Sequence, residues 1–248
     1  MASVAQQNID KSKNWLTKDV YPLWSQKGID RSNGGFVEAI SFTGEAMDLP
    51  RRAMVQARQI YSFLTGARIG AYPRDTAKDI AMNGTRYMIE KFGQPNGSFI
   101  FSINVDGTPK STNPDLYTQA FALFGMAQGY SISKNAEIKT RAKELVSYLK
   151  RERQVKGGGF TELNDKGEKS YKSNPHMHMF ESAIAWMQID KDPVWWDLGK
   201  ELVTLATTKF IDPKSNVLGE YFDESWNPIL ENGKFIYEPG HQYEWAWL

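Results

Sequence analysis

The segment Gly157-Gly-Gly-Phe-Thr-Glu162 is a glycine-containing turn that leads into a short extended piece, and this pattern recurs along the chain. Its aromatic residue, Phe160, has counterparts at Phe36, Phe99 and Phe222, and successive members are spaced by 63, 61 and 62 residues. Four unrelated turns would not be expected to keep phase this closely over three intervals. The spacing therefore indicates an internal repeat of one structural unit.

Segments with apolar residues at helical spacing separate these extended pieces. Proline opens several of them and glycine closes several, as is typical of helix ends. The predicted helices span residues 3–27, 51–69, 73–92, 115–130, 136–155, 175–189 and 193–210, and a last one begins at Pro239. Each unit is therefore predicted to be a helical hairpin with a small β excursion.

One helix of each unit carries polar residues among apolar ones. They are Gln56 and Arg58, Tyr117 and Gln119, Asn174, His178 and Glu181, and His241 and Glu244. Stacked hairpins form either an open superhelix or a closed toroid of inner and outer helices. In a toroid, equivalent points of the inner helices converge on one end of a central cavity, so the recurring polar residues favour the toroid. Because no linker interrupts the pattern, the sequence predicts one domain over residues 1–248.

Composition excludes several classes of function. The formal net charge is +1 with acids and bases interspersed, so neither a basic nucleic-acid face nor a patch for anionic membranes is predicted. The chain has no cysteine, which excludes disulfides, thiolate catalysis and cysteine metal sites. No apolar run approaches the roughly 18 residues of a membrane span, and the N-terminus lacks an apolar signal core. These features predict a soluble, cytoplasmic protein.

The segment Glu238-Pro-Gly-His-Gln-Tyr-Glu-Trp-Ala-Trp-Leu248 is the strongest candidate for chemistry. Pro239 and Gly240 are typical of a turn that opens a helix, which places His241 and Glu244 on one face of its first turn. A carboxylate in that position could hold the tautomer and orientation of an acid–base histidine. The alternative is a histidine that caps a buried helix start.

Three further segments offer polar ligands. Arg58 lies on a helix whose other face is apolar; inside a cavity it would be a fixed cation for a developing oxyanion, and otherwise a solvated or paired side chain. Tyr117 offers a hydroxyl to a ligand or to the core. Asn174-Pro-His-Met-His178 holds the other two histidines, which a helix separates by about 200°, so only one of them can face the cavity. His178 shares its face with Glu181.

A metal site is not predicted, because two histidines at i and i+2 of a helix do not chelate one ion. The chain also has no Gly-x-Ser-x-Gly elbow, phosphate-binding glycine loop or dinucleotide fingerprint. Histidines supported by carboxylates and an arginine remain. That combination is typical of proton abstraction next to a carbonyl, with an enediolate to stabilise.

The chain resembles the N-acylglucosamine 2-epimerase family over essentially its whole length. The resemblance lies in Gly34-Gly-Phe36, Arg51-Arg-Ala-Met-Val-Gln-Ala-Arg-Gln-Ile-Tyr61, Asp115-Leu-Tyr117 with Gln119-Ala-Phe121, Asn174-Pro-His-Met-His178, and Glu238-Pro-Gly-His-Gln-Tyr-Glu-Trp-Ala-Trp247. It implies an all-α fold, an (α/α)6 barrel of helical hairpins with short β excursions. It also implies proton transfer at C2 of a sugar, with no metal or redox cofactor and a monosaccharide as partner.

The resemblance also implies roles for individual residues. Arg58 is similar to the family's ligand for a substrate oxygen, and Asn174 and His178 to its sugar-binding pair. His241 is similar to one catalytic acid–base histidine, with Glu244 as its partner. The family's second catalytic histidine belongs to a later inner helix. Six units would need roughly 370 residues and about four are present, so the sequence is predicted to be incomplete at its C-terminus.

The favoured function is an aldose–ketose isomerase or 2-epimerase that acts on free mannose-type sugars through an enediolate. An N-acetylglucosamine 2-epimerase is the nearest alternative. A glycoside hydrolase or lyase on the same toroid would require paired carboxylates at one end of the cavity. A non-catalytic sugar-binding fragment is the third alternative, and a homodimer is left open.

Overall fold

The computed structural model describes residues 3–248, and each predicted helix is present in it with shifts of a few residues at the ends. The helices are α1 (Val4–Trp15), α2 (Tyr21–Leu23), α3 (Ala53–Arg68), α4 (Arg74–Phe92), α5 (Leu116–Ser133), α6 (Ala136–Glu152), α7 (Ser173–Met187), α8 (Pro193–Leu205) and α9 (Pro239–Trp247). Wider π-helical turns continue α1 and α2 to Gly28 and α8 to Phe210. None of the helices within this range is long and apolar enough to cross a lipid bilayer.

Helices α3, α5, α7 and α9 form an inner layer, and α4, α6 and α8 lie outside it. Helix α5 is buried on nearly all sides because α3 and α7 flank it. Small residues permit the close approach, since a Cβ on Gly125 of α5 would lie 3.0 Å from the Cβ of Ala57 of α3. On the other side, Trp186 Nε1 of α7 donates to the Leu123 carbonyl of α5 at 3.0 Å.

Short antiparallel strands join successive units. Two three-stranded sheets have the orders β1-β2-β3 and β4-β5-β6, and β7 pairs with β8. The strands are β1 (Arg51–Arg52), β2 (Ser102–Ile103), β3 (Pro109–Ser111), β4 (Glu162–Leu163), β5 (Lys169–Lys172), β6 (Tyr221–Phe222), β7 (Leu230–Glu231) and β8 (Lys234–Phe235). Because β1 pairs with β2 and β5 with β6, each three-stranded sheet connects one unit to the next.

The first extended residue of each unit bridges back to the chain that leaves the preceding outer helix. These residues are Phe36, Phe99, Phe160 and Leu218. The prediction of Phe222 as the fourth member was therefore wrong by four residues. Phe222 lies further along, in β6, where it stacks on Phe210 in a second apolar cluster. A leucine satisfies the same bridge, because the backbone and not the ring makes it.

A side chain from the inner helix of the same unit holds each bridging residue. Gln56 Oε1 accepts from the Phe36 N–H at 2.8 Å, and its Nε2 donates to the Phe36 carbonyl at 2.9 Å. The same two bonds join Gln119 to Phe99 and Gln242 to Leu218. In the third unit a histidine takes this place. We call Gln56, Gln119, His176 and Gln242 the lock residues.

Candidate active site

Two positions after each lock residue, the inner helices carry a second set of side chains, which contact one another in series on the side where the toroid prediction places its cavity. We call Arg58, Phe121, His178 and Glu244 the cavity residues. The Arg58 guanidinium lies 4.3 Å from the Phe121 ring centre, and the Phe121 and His178 ring centres are 4.7 Å apart. His178 Nδ1 lies 3.8 Å from Glu244 Oε1. Consecutive units therefore bring these four side chains together, as the toroid prediction requires.

Tyr117 fixes the position of Arg58. The Arg58 Nη2 group donates to the Tyr117 hydroxyl at 2.9 Å, and the Tyr117 ring lies 5.0 Å from the ring of His178. Burial raises the pKa of Tyr117 and the nearby Arg58 opposes that rise, so the phenol is protonated at neutral pH. Within residues 3–248, no carboxylate lies within 4.0 Å of Arg58. Its positive charge is thus available to a ligand.

Two carboxylates approach the same ring nitrogen of His178. Its Nδ1 is 3.1 Å from Glu181 Oε2, one turn along α7, which confirms that the two share a face. Glu244 approaches from α9. The three ligand atoms lie within 4.8 Å of one another, so this trio could close on a divalent cation. The absence of a metal in the reaction stays a prediction.

His241 has a different partner from the predicted one. Its Nδ1 lies 2.9 Å from Glu220 Oε1, whereas Glu244 turns to His178, so the predicted pairing of His241 with Glu244 was wrong. The lock residue Gln242 explains why Glu220 and not Glu244 is the partner of His241. Gln242 follows His241 on α9 and forms two hydrogen bonds with the backbone of Leu218. These bonds place Glu220, two residues after Leu218, beside the imidazole.

Glu220 is the partner of His241 that the sequence did not predict. It lies in an extended piece 21 residues before His241, so no helical spacing connects the two. A signal was nevertheless present in the sequence. Once Leu218 replaces Phe222 as the repeat member, a glutamate stands two residues after the bridging residue in three of the four units, at Glu38, Glu162 and Glu220.

Asn174 lies at the start of α7, one turn before His178, where the i and i+4 positions share a face. Its Oδ1 is buried and has no hydrogen-bond partner. A buried acceptor without a donor costs about 1–3 kcal/mol, which a hydroxyl from a ligand would recover. The structure thus joins four of the six predicted site residues, Arg58, Tyr117, His178 and Glu244, by direct contacts. Asn174 lies one turn before His178 on α7, and His241 lies one turn before Glu244 on α9.

The other histidine of α7 serves the fold. The imidazole of His176 is fully buried against Phe160, Phe210 and Trp226. Its Nε2 accepts from the Phe160 N–H at 2.9 Å, and its Nδ1 lies 2.7 Å from the Lys172 carbonyl, to which it donates. Burial lowers the pKa of His176 to about 4, so the ring is neutral at physiological pH. As predicted, one histidine of the pair faces the cavity.

The same motifs match a known family. The sequence profile of N-acylglucosamine 2-epimerase (GlcNAc 2-epimerase) matches residues 34–248. The chain belongs to this family. One curated family relative, the mannose-6-phosphate isomerase of Rhizobium meliloti (strain 1021), is 39% identical over 238 residues, which cover 94% of this chain and 61% of that protein.

Solved structures of sugar epimerases and isomerases confirm the fold. The cellobiose 2-epimerase of Bacillus thermoamylovorans B4167 superposes with a TM-score of 0.84 at 19% identity, over 98% of this chain and 65% of that one. A D-mannose isomerase gives a TM-score of 0.80 at 19% identity, over 95% and 63%. The inner and outer helices are therefore part of an (α/α)6 barrel architecture. The chain spans less than two thirds of the length of these proteins.

Proposed function

We propose that this chain belongs to an aldose–ketose isomerase or 2-epimerase that moves a proton at C2 of an unphosphorylated mannose-type sugar. One observation carries the proposal. The imidazole of His241 is oriented by a buried carboxylate at Nδ1, and it lies one helical turn before Glu244, whose cluster includes an Arg58 guanidinium without a carboxylate partner. An oriented base and an available cation are the two groups that an enediolate mechanism requires.

In this mechanism the Nε2 of His241 removes the proton from C2 of the open-chain aldose. The electron pair of the C–H bond forms the C1–C2 double bond, and the carbonyl oxygen at C1 becomes the oxyanion of an enediolate. Return of a proton to C1, with transfer of the C2 hydroxyl proton to the C1 oxygen, gives the ketose. Return to the opposite face of C2 gives the epimer. A histidine suits this task because its ordinary pKa of about 6.5 lies near neutral pH.

Arg58 stabilises the enediolate oxygen. Its guanidinium stacks on Phe121 at 4.3 Å and donates to Tyr117, so the side chain is held before substrate binds. A cation fixed in this way loses little conformational freedom when charge develops on the substrate. Removing one such donor in an enzyme costs about 10²–10³ in kcat.

The remaining cavity side chains suit sugar hydroxyls. Asn174 offers a buried acceptor that has no partner, Tyr117 a phenol, and His178 a ring nitrogen opposite the one that faces Glu181. Phe121 adds an aromatic face. A few convergent polar groups beside an aromatic surface are typical of small-ligand sites.

Charge favours a sugar without a phosphate group. Glu181, Glu220 and Glu244 contribute carboxylates around the site, and Arg58 contributes a guanidinium. A phosphate dianion in this cavity would face repulsion from several of them. The 39%-identical relative is described as a mannose-6-phosphate isomerase and one structural neighbour as a D-mannose isomerase, so both sugars belong in the test.

The test is to incubate the protein with mannose, mannose 6-phosphate, cellobiose or N-acetylglucosamine and to follow the products by NMR. We expect fructose or glucose from mannose, and less than a tenth of that rate from mannose 6-phosphate. Preferential conversion of mannose 6-phosphate would contradict the charge argument. N-acetylmannosamine formed from N-acetylglucosamine, with mannose unchanged, would favour the nearest alternative. No change in any of the sugars would refute the proposal.

A further inference from the structure

We propose that Glu220 is the positioning residue of His241, and that Ser173 at the start of α7 fixes Glu220 for this purpose. The inference rests on the proposed function for its catalytic meaning, since it assigns to His241 one reacting nitrogen, Nε2. Its structural part, the tautomer of His241, can be tested without any turnover.

Glu220 is held at four points. Its backbone N–H donates to the Ile236 carbonyl at 3.0 Å, and its backbone carbonyl accepts from the Ser173 N–H at 3.1 Å. The Ser173 hydroxyl donates to Glu220 Oε2 at 3.1 Å, and Oε1 faces His241 at 2.9 Å. The side chain is 5% exposed. A carboxylate fixed in this way has little freedom to follow a rotating imidazole, so it imposes an orientation.

The chemistry of the carboxylate then decides the tautomer. An ionised carboxylate only accepts hydrogen bonds, so the Nδ1 of His241 must carry the hydrogen. In the neutral ring, Nε2 consequently keeps its lone pair. A free histidine prefers the opposite tautomer, in which Nε2 carries the hydrogen and cannot act as a base. Glu220 therefore selects the base-competent form of His241 before substrate arrives.

Glu38 and Glu162 stand at the same repeat position as Glu220, two residues after a bridging residue, but within residues 3–248 neither contacts a histidine. Their contacts show what a glutamate does at this position in the fold. Glu38 accepts from the backbone N–H of Arg52 at 2.9 Å and pairs with its side chain. Glu162 Oε1 accepts from the N–H groups of Leu116, at 2.7 Å, and Leu163, at 2.8 Å. In these two units the glutamate ties an extended piece to the start of an inner helix. Glu220 keeps that task through Ser173 and adds His241.

This equivalence supplies a matched control. Glu162→Leu removes a buried glutamate at the same repeat position, so it should destabilise the fold about as much as Glu220→Leu. It leaves His241 and its partner in place. Effects that Glu220→Leu produces and Glu162→Leu does not are therefore effects on His241.

The experiment uses the chain labelled with ¹⁵N-histidine, with the His241 signals assigned by difference from His241→Asn. NMR should show the neutral ring of His241 with hydrogen on Nδ1 and a bare Nε2. In Glu220→Leu that population should fall to a minority, and kcat on mannose should fall about 10²–10⁴-fold with KM changed less than threefold. In Glu162→Leu the tautomer should stay as in the original chain.

Glu220→Gln is the second variant, and it is the one most similar in shape. Its amide oxygen can still accept from Nδ1 while its NH2 group faces the Ser173 hydroxyl, so it should keep the tautomer. It loses the charge that stabilises the imidazolium, and kcat should fall about 10-fold or more. If Glu220→Leu does not fold, the tautomer of His241 and kcat in Glu220→Gln still test the role of Glu220.

Three outcomes bear on the inference. An unchanged tautomer in Glu220→Leu, or a predominance of hydrogen on Nε2 in the original chain, would overturn it. A tautomer change together with the loss of kcat would support it. A tautomer change in a chain that turns over none of the sugars would support the positioning by Glu220 while refuting the proposed function.

Discussion

The lock residues and the cavity residues lie only two positions apart on the same four helices, yet they follow opposite rules. The lock set is Gln56, Gln119, His176 and Gln242, which is nearly uniform. The cavity set is Arg58, Phe121, His178 and Glu244, in which no two residues are alike. All four locks perform one task, to pair a buried backbone N–H. The cavity positions each contribute a different chemical group.

Helix α7 shows the contrast within one residue type. His176 is enclosed by aromatic rings and holds Phe160, whereas His178 meets Tyr117 and two carboxylates at the cavity. Residue identity therefore does not reveal the role; the position relative to the lock does. The repeat specifies the fold through one face of each inner helix and leaves the neighbouring face free to vary for function.

Among the variants that compare lock and cavity residues, the largest effect should come from Arg58→Leu. Loss of the guanidinium should lower kcat on mannose by about 10²–10³-fold, because the oxyanion loses its cation. The side chain is exposed and sits on the cavity face, so the free energy of unfolding should change by less than about 1 kcal/mol. Steady-state kinetics and urea denaturation measure the two quantities. If Arg58→Leu destabilised the fold as much as a lock variant does, cavity residues and lock residues would not differ in their role in stability.

Two positions earlier on the same helix, Gln56→Leu should lower the stability of the fold and leave kcat nearly unchanged. It leaves the Phe36 N–H and carbonyl buried without partners, at about 1–3 kcal/mol per group. We expect the free energy of unfolding to fall by about 2–4 kcal/mol, with kcat of the folded protein reduced less than threefold. Full stability in this variant would show that the amide is dispensable.

His176→Gln tests whether the histidine lock, unlike the three glutamine locks, makes the free energy of unfolding depend on pH. The pKa of His176 is lowered to about 4 in the fold and is about 6.5 in the unfolded chain. The unfolded state therefore binds the proton first, and the stability present above pH 6.5 is lost as the pH falls toward 4. The loss is about 2 kcal/mol at pH 5.

Glutamine, the residue of the other three locks, carries no such proton. Urea denaturation of the original chain and of His176→Gln between pH 7 and pH 4.5 measures both unfolding free energies. At pH 5 the original chain should have lost about 2 kcal/mol relative to the variant. A difference that is independent of pH would mean that His176 is not the group that titrates.

Tyr117→Phe should have the smallest effect. It removes the hydroxyl that accepts from Arg58 at 2.9 Å but keeps the ring against His178. One hydrogen bond of this kind contributes about 1 kcal/mol, so kcat/KM should fall about 5-fold. Stability should be nearly unchanged. A drop as large as that of Arg58→Leu would mean that the phenol itself contacts the reacting oxygen.

Much of the fold could be predicted from the sequence because local patterns reveal the repeat. These patterns are the helical spacing of apolar residues and the recurring glycine-containing turns. The register of the fourth unit could not, because a backbone bridge accepts Leu218 as readily as a phenylalanine. The cavity side of α7 was predictable from the angle between His176 and His178. The partner of His241 was not, because helix geometry offered Glu244 while the tertiary fold brought in Glu220.

The central claim, that His241 transfers the C2 proton, is tested most directly by isotope exchange. Mannose deuterated at C2 is incubated in H2O with the original chain and with His241→Asn, and the loss of deuterium from C2 is followed by NMR. This readout requires one base and an enediolate, and it registers proton removal even where product accumulates slowly. We expect exchange in the original chain and a loss of at least about 10³-fold in the variant. Equal exchange in both, or its absence in the original chain, would contradict it.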